Sequence, residues 1–137
     1  MADPADIPSG FFISNSLNNT VAAAPAIGFG PAGYGVVTQG TSKSTPVTVN
    51  AKWGVITLHN ASLSSLASVQ FTCTNSAITA TDVVMANCGV GGTAGAYQVH
   101  CISVGAGTSV FRVTNVSGGA LGEAATINFA VIDTYAG

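Results

Sequence analysis

The sequence predicts an all-β protein, a β-sandwich or jelly-roll-like barrel of about eight short strands behind an extended N-terminal arm. Three observations carry this reading. Apolar and polar residues alternate with a period of two along most strand-length runs, as in Tyr97, Val99 and Cys101 against Gln98, His100 and Ile102. Clusters of Gly, Asn and Ser punctuate those runs. No segment holds a helical period over three turns, and Asn60–Ala67 is the one stretch expected to form a single helical turn.

Residues 1–33 read as the arm and residues 34–137 as the sandwich. Pro4, Pro8, Pro25 and Pro31 break helices and interior strands. Phe11, Phe12, Ile13, Leu17 and Phe29 make the segment too apolar for a solvated linker. An extended arm lying along a partner surface is expected, against the alternative of a tail without fixed structure. Gly28–Gly35 reads as a flexible hinge into the sandwich.

The expected strands are Gly35–Gln39, Pro46–Asn50, Gly54–His59, Ser68–Asn75 and Asp82–Asn87, followed by three around Tyr97–Ile102, Phe111–Thr114 and Ile127–Val131. Gly105-Ala106-Gly107 and Gly118-Gly119 can supply the positive φ values of tight reversals.

Charge is scarce. Three Lys or Arg and five Asp or Glu make up 6% of 137 residues, where about 25% is usual. Ser, Thr, Asn and Gly take their place, giving a near-neutral surface with weak colloidal repulsion, suited to packing against copies of itself or a larger assembly. Scattered basic residues argue against nucleic acid, whose phosphates call for several Lys or Arg acting together. No run of about 20 apolar residues would cross a membrane as a helix. MADPADIPSG lacks the basic and apolar regions of a secretory signal. Cys73, Cys88 and Cys101 are odd in number and form no CxxC, so reduced thiols of a protein made in a cytoplasm are expected.

Candidates for chemistry are thin. His59 and His100 are the only histidines, and His100 should face away from Val99 and Cys101, so no tetrahedral Cys/His metal site is expected within one chain. A symmetric oligomer gathering one histidine from each copy stays open. No GxSxG elbow accompanies the serines, and the acidic residues Asp3, Asp6, Asp82, Glu123 and Asp133 form no evident catalytic pair. An enzyme is not expected, nor a cofactor. Arg112 and Glu123 flank the Ser117-Gly118-Gly119 turn and are candidates to meet across strands or subunits, against the alternative of two solvated charges. Trp53, beside Lys52, is a candidate interface anchor, its alternative being the edge of the core. The sequons at Asn18, Asn60 and Asn115 carry no functional weight.

The succession Thr38–Asn50, Gly54–Leu63, Val69–Ser76, Ala80–Met85, Gly91–Val99 and Phe111–Ile132 resembles a β-rich module of tailed-bacteriophage virion surface proteins. Such modules occur in capsid decoration or cement proteins, head fibres and tail-fibre tips. The resemblance spans about residues 36–132 and implies a structural protein, a homotrimer, located on the outer capsid surface and partnered by the major capsid protein. The alternative it leaves open is a fibre or spike component that binds a host surface receptor or glycan, with Trp53, Tyr97 and Tyr135 as candidate contacts. The absence of a shaft-forming repeat favours decoration.

Overall fold

The computed structural model describes residues 32–134. The arm residues Phe11, Phe12, Ile13, Leu17 and Phe29, and Tyr135, lie outside that range. Among the described residues there are eight strands and no helix: β1 (Tyr34–Thr38), β2 (Val47–Thr48), β3 (Trp53–Thr57), β4 (Ser68–Thr74), β5 (Val83–Cys88), β6 (Tyr97–Gly105), β7 (Thr108–Asn115) and β8 (Thr126–Ile132).

They form two four-stranded sheets. Sheet I has the order β1-β3-β8-β5 and sheet II the order β2-β4-β7-β6. The chain changes sheet at every step except between β6 and β7. Parallel neighbours need a crossover, and here a strand of the opposite sheet provides it. β2 lies between β1 and β3 in sequence, and β3 between β2 and β4, so both pairs are parallel. The other neighbouring strands are antiparallel.

All eight predicted strands are present, with ends shifted by a few residues. The sheets do not close into a barrel: β1 and β5 remain edges of sheet I, and β2 and β6 edges of sheet II. The expected helical turn at Asn60–Ala67 is absent. Leu63 is drawn into the core and bridges Leu121, which holds the chain extended there. A turn follows, closed by the Ala67 N–H donating to the Ser64 carbonyl at 3.1 Å, with exposed Leu66 at a φ of 61°. Gly105–Gly107 does make the β6–β7 reversal, with Gly107 at a φ of 73°. Gly118-Gly119 belongs instead to the crossover from β7 to β8, and neither residue has a positive φ. Nor does Gly35 belong to a hinge: it sits within β1, where an added Cβ would lie 2.6 Å from a Val49 methyl carbon.

Inward-facing residues of both sheets make one core. Sheet I contributes Ile56, Val84, Ile127, Phe129 and Val131, and sheet II contributes Val47, Phe71, Cys73, Val99, Phe111 and Val113. The Phe71 and Phe111 rings meet with centroids 5.6 Å apart. Each such side chain contributes about 1.5–3 kcal/mol of burial free energy.

Polar side chains inside the fold serve the loops. Asn75, fully buried, accepts from Ala51 N–H at 3.1 Å and Ala77 N–H at 3.0 Å, and donates to the Ala51 carbonyl at 2.7 Å. Asn115, also fully buried, donates to the carbonyls of Leu63, Ser64 and Gly119 and accepts from the Ser117 N–H and hydroxyl. Gln39 links three backbone groups, at Lys43, Thr45 and His59. Buried Lys43 donates to the carbonyls of His59 and Glu123. Burial lowers the Lys43 pKa, and the nearby Glu123 carboxylate opposes that shift.

Candidate functional surface

The strand registers assign every strand side chain to the core or to an outer face, and the two outer faces differ in chemistry. On sheet II the rows read Ser68–Thr114–Gln98 and Gln70–Arg112–His100, continued by Thr72 with Val110 and Thr74 with Thr108. Hydroxyls, amides, a guanidinium and an imidazole face outward. Ser68 and Thr114 join their hydroxyls at 2.7 Å.

Sheet I is mostly apolar on its outer side, with polar side chains confined to one Asn pair and one Thr row. One row is Tyr34–Trp53–Ala130–Met85 and the next is Val36–Val55–Asn128–Asn87, flanked by Thr38–Thr57–Thr126 at one end and Ile132–Val83 at the other. Val36 is 65% exposed and Met85 57%, with Tyr34 and Val83 each at 48%. The Tyr34 and Trp53 rings stack obliquely, centroids 4.4 Å apart and planes at 50°. A shallow groove of about 300 Å³ runs between β5 and β8, lined by Met85, Asn87, Asn128 and Ala130 with Ala86 and Phe129 beneath.

One end of this face carries the ion pairs found among the described residues. Lys52 pairs with Asp133, lies 3.9 Å from Asp82, and donates to the Ala77 carbonyl at 2.7 Å. Burial by itself would raise the Asp82 pKa. Hydrogen bonds from Thr79 and Thr134 and the Lys52 charge outweigh it and hold the carboxyl below its ordinary value.

The candidate residues scatter. Trp53 lies half-buried in the row Tyr34–Trp53–Ala130–Met85, a position that fits the edge of the core as well as an exposed contact. Tyr97 does not reach the surface: it is 8% exposed, its ring under Gly92. Burial, then the neighbouring Glu123 carboxylate, push its pKa up to about 12. Its position at the start of β6 on the inward row decides this, so it cannot stack on a receptor sugar. Arg112 and Glu123 do not pair across neighbouring strands. Arg112 stands in the outer row of sheet II between Gln70 and His100. The Glu123 carboxylate is held by the Thr93 hydroxyl and by the Thr93 N–H at 2.8 Å, bonds that keep its pKa low.

His100 is exposed and faces away from Val99, as its strand position predicts. His59 accepts the Ala61 N–H on Nδ1 at 3.0 Å. No group of three or more His, Cys, Asp or Glu among the described residues could hold a metal ion. The three cysteines are thiols, with Cys73 buried, Cys101 half-buried and Cys88 exposed; burial pushes the Cys73 pKa up to about 11.

Comparison with protein-family models, with curated proteins and with solved structures finds no match to this chain.

What sequence reasoning missed is the apolar outer face itself. Its signal was present: Val83-Val84-Met85 and Ala130-Val131-Ile132 are apolar on both rows, as in strands covered on both sides.

Proposed function

We propose that the chain is a virion structural protein of a tailed bacteriophage, a trimeric decoration (cement) protein that binds the outer capsid surface and stabilises it. The reading draws on the resemblance of its strand segments to virion surface modules. The observation that carries it furthest is the contrast between the two outer faces. A hydroxyl- and amide-rich face suits water, and an apolar uncharged face suits contact with other subunits, so the domain is built as one layer of an assembly. Association needs no catalytic group, and weak contacts repeated by symmetry add up to firm attachment.

The test is copy number per particle, measured by quantitative mass spectrometry against the major capsid protein. Hundreds of copies are expected of a cement protein on repeated capsid axes. Three to a few tens would instead favour a fibre or vertex appendage that binds a host receptor. Absence from the particle would remove both readings.

A further inference from the structure

The outer face of sheet I combines three properties. It is mostly apolar, its polar side chains being the Asn87–Asn128 amides and the Thr38–Thr57–Thr126 row at one end; it is contiguous across four strands, and none of its rows contains an ionisable group apart from the Tyr34 phenol. Lys52, at its rim, is already neutralised within the chain by Asp133 and Asp82. A partner selected by charge would find nothing here to hold. A second copy of this chain brings the same uncharged rows, and its described residues carry balanced charge, Lys43, Lys52 and Arg112 against Asp82, Glu123 and Asp133. Two such faces meet without leaving a buried ion unpaired, which would be the costly outcome.

We infer that the outer face of sheet I is the contact between copies of this chain, with Trp53 and Tyr34 near its centre and Val36 and Met85 to either side. This deepens the assembly reading above and rests on it. The Asn87–Asn128 amides lie in the same face, and amides both donate and accept, so they can bond to their own counterparts across a symmetry axis. Sheet II, with Arg112 and His100 outward, keeps the solvent side.

Size sets the strength. Four strands about 4.8 Å apart and five residues at about 3.3 Å each give a patch of about 19 by 17 Å. That is about 320 Å² from each copy and about 650 Å² in all, below the roughly 1,000 Å² of a stable interface, so the association is expected to be weak and to dissociate on dilution through roughly the high-micromolar to millimolar range.

The full-length chain tests this by sedimentation velocity across a dilution series, read beside the emission of Trp53. Trp53 is the single tryptophan of the sequence and lies in the contact. Wild-type protein is expected to sediment as a closed oligomer at high concentration, at three times the 13.5 kDa chain mass if it is the trimer. Its emission should shift to the red as it dissociates. Val36→Lys with Met85→Lys should leave the far-ultraviolet circular dichroism unchanged, both sites being exposed, and give a monomer. Gln70→Lys on sheet II should keep the wild-type mass. A wild-type monomer at every concentration overturns the inference. So does a double variant that keeps the oligomer, or dissociation without a change in Trp53 emission. Those results leave the cement reading to the virion count. A chain absent from particles that still associates through this face would instead sink that reading and leave the contact standing.

Discussion

Asn115 looks like a turn residue within a glycosylation sequon, yet its side chain does the work of a small strut. It satisfies the carbonyls of Leu63, Ser64 and Gly119 from a fully buried position. Replacing it by Ala removes those bonds, at about 0.5–1.5 kcal/mol each; the three carbonyls keep the Leu121 N–H, the Ala67 N–H and the Ser117 hydroxyl as donors, while the Ser117 N–H loses its acceptor. Asn115→Ala is therefore expected to lower stability by about 2–4 kcal/mol, read as a shift in the urea midpoint. Gln98→Ala on the exposed face should change it by less than about 0.5 kcal/mol. Asn75 and Asn115 escaped sequence reading because Asn in a loop is ordinarily a turn former. Only the crossing of other segments around these two turns them inward. Tyr97 escaped for a related reason: the glycine-rich loop before it folds over the ring, and the alternation that places it on the core row of β6 says nothing of that cover.

Strand existence was legible because alternation and turn residues agree along the chain, and the inward rows of β4, β6, β7 and β8 follow directly from the period of two. Strand partnership was not. The β1–β3 pair depends on glycines facing each other in register, Gly35 opposite Gly54. A Cβ on Gly54 would lie 1.8 Å from the Gly35 carbonyl oxygen, and backbone cannot give way as a flexible side chain does. Gly54→Ala is expected to push β1 off sheet I and cost about 3 kcal/mol or more, with amide exchange in Tyr34–Thr38 accelerating well before the rest of the sheet. Faster exchange spread evenly over all strands would argue against so local a role. A bulge lies between Cys101 and Ser103, where Ile102 has no register partner on β7. Ile102 keeps the outward row of Gln98 and His100, as the alternation places it, and is 40% exposed.

Across the whole molecule, the acid response of stability is expected to fall to a few carboxylates, buried Asp82 and surface Glu123 among them, because so few charges exist. Asp82 has a folded-state pKa below the ordinary 3.8. Its contribution is therefore fully present above that value and is lost as pH falls through the folded-state pKa; Glu123, below its ordinary 4.5, behaves in the same sense. The melting temperature is expected to stay level from neutral pH down to about 5 and to fall steeply below about 4. Asp82→Asn should lower the plateau and flatten the fall, whereas an unchanged acid limb would assign it to other groups. The fold class and the sparse surface charge were both readable from composition and period. The division into one polar and one apolar face needed the topology, since only strand order shows which outward rows are neighbours.

The position of β8 has a consequence for biosynthesis. It lies between β3 and β5, bonded to both, yet it is the last of the eight strands to be made. Until the ribosome has delivered residues 126–132, β3 and β5 have no common neighbour, and sheet I exists only as fragments with unpaired edges. The β6–β7 hairpin, by contrast, is local and can form as soon as it emerges. All four strands of sheet II are therefore made before sheet I can be completed, so the outer rows of sheet I come together only when the last strand is in place.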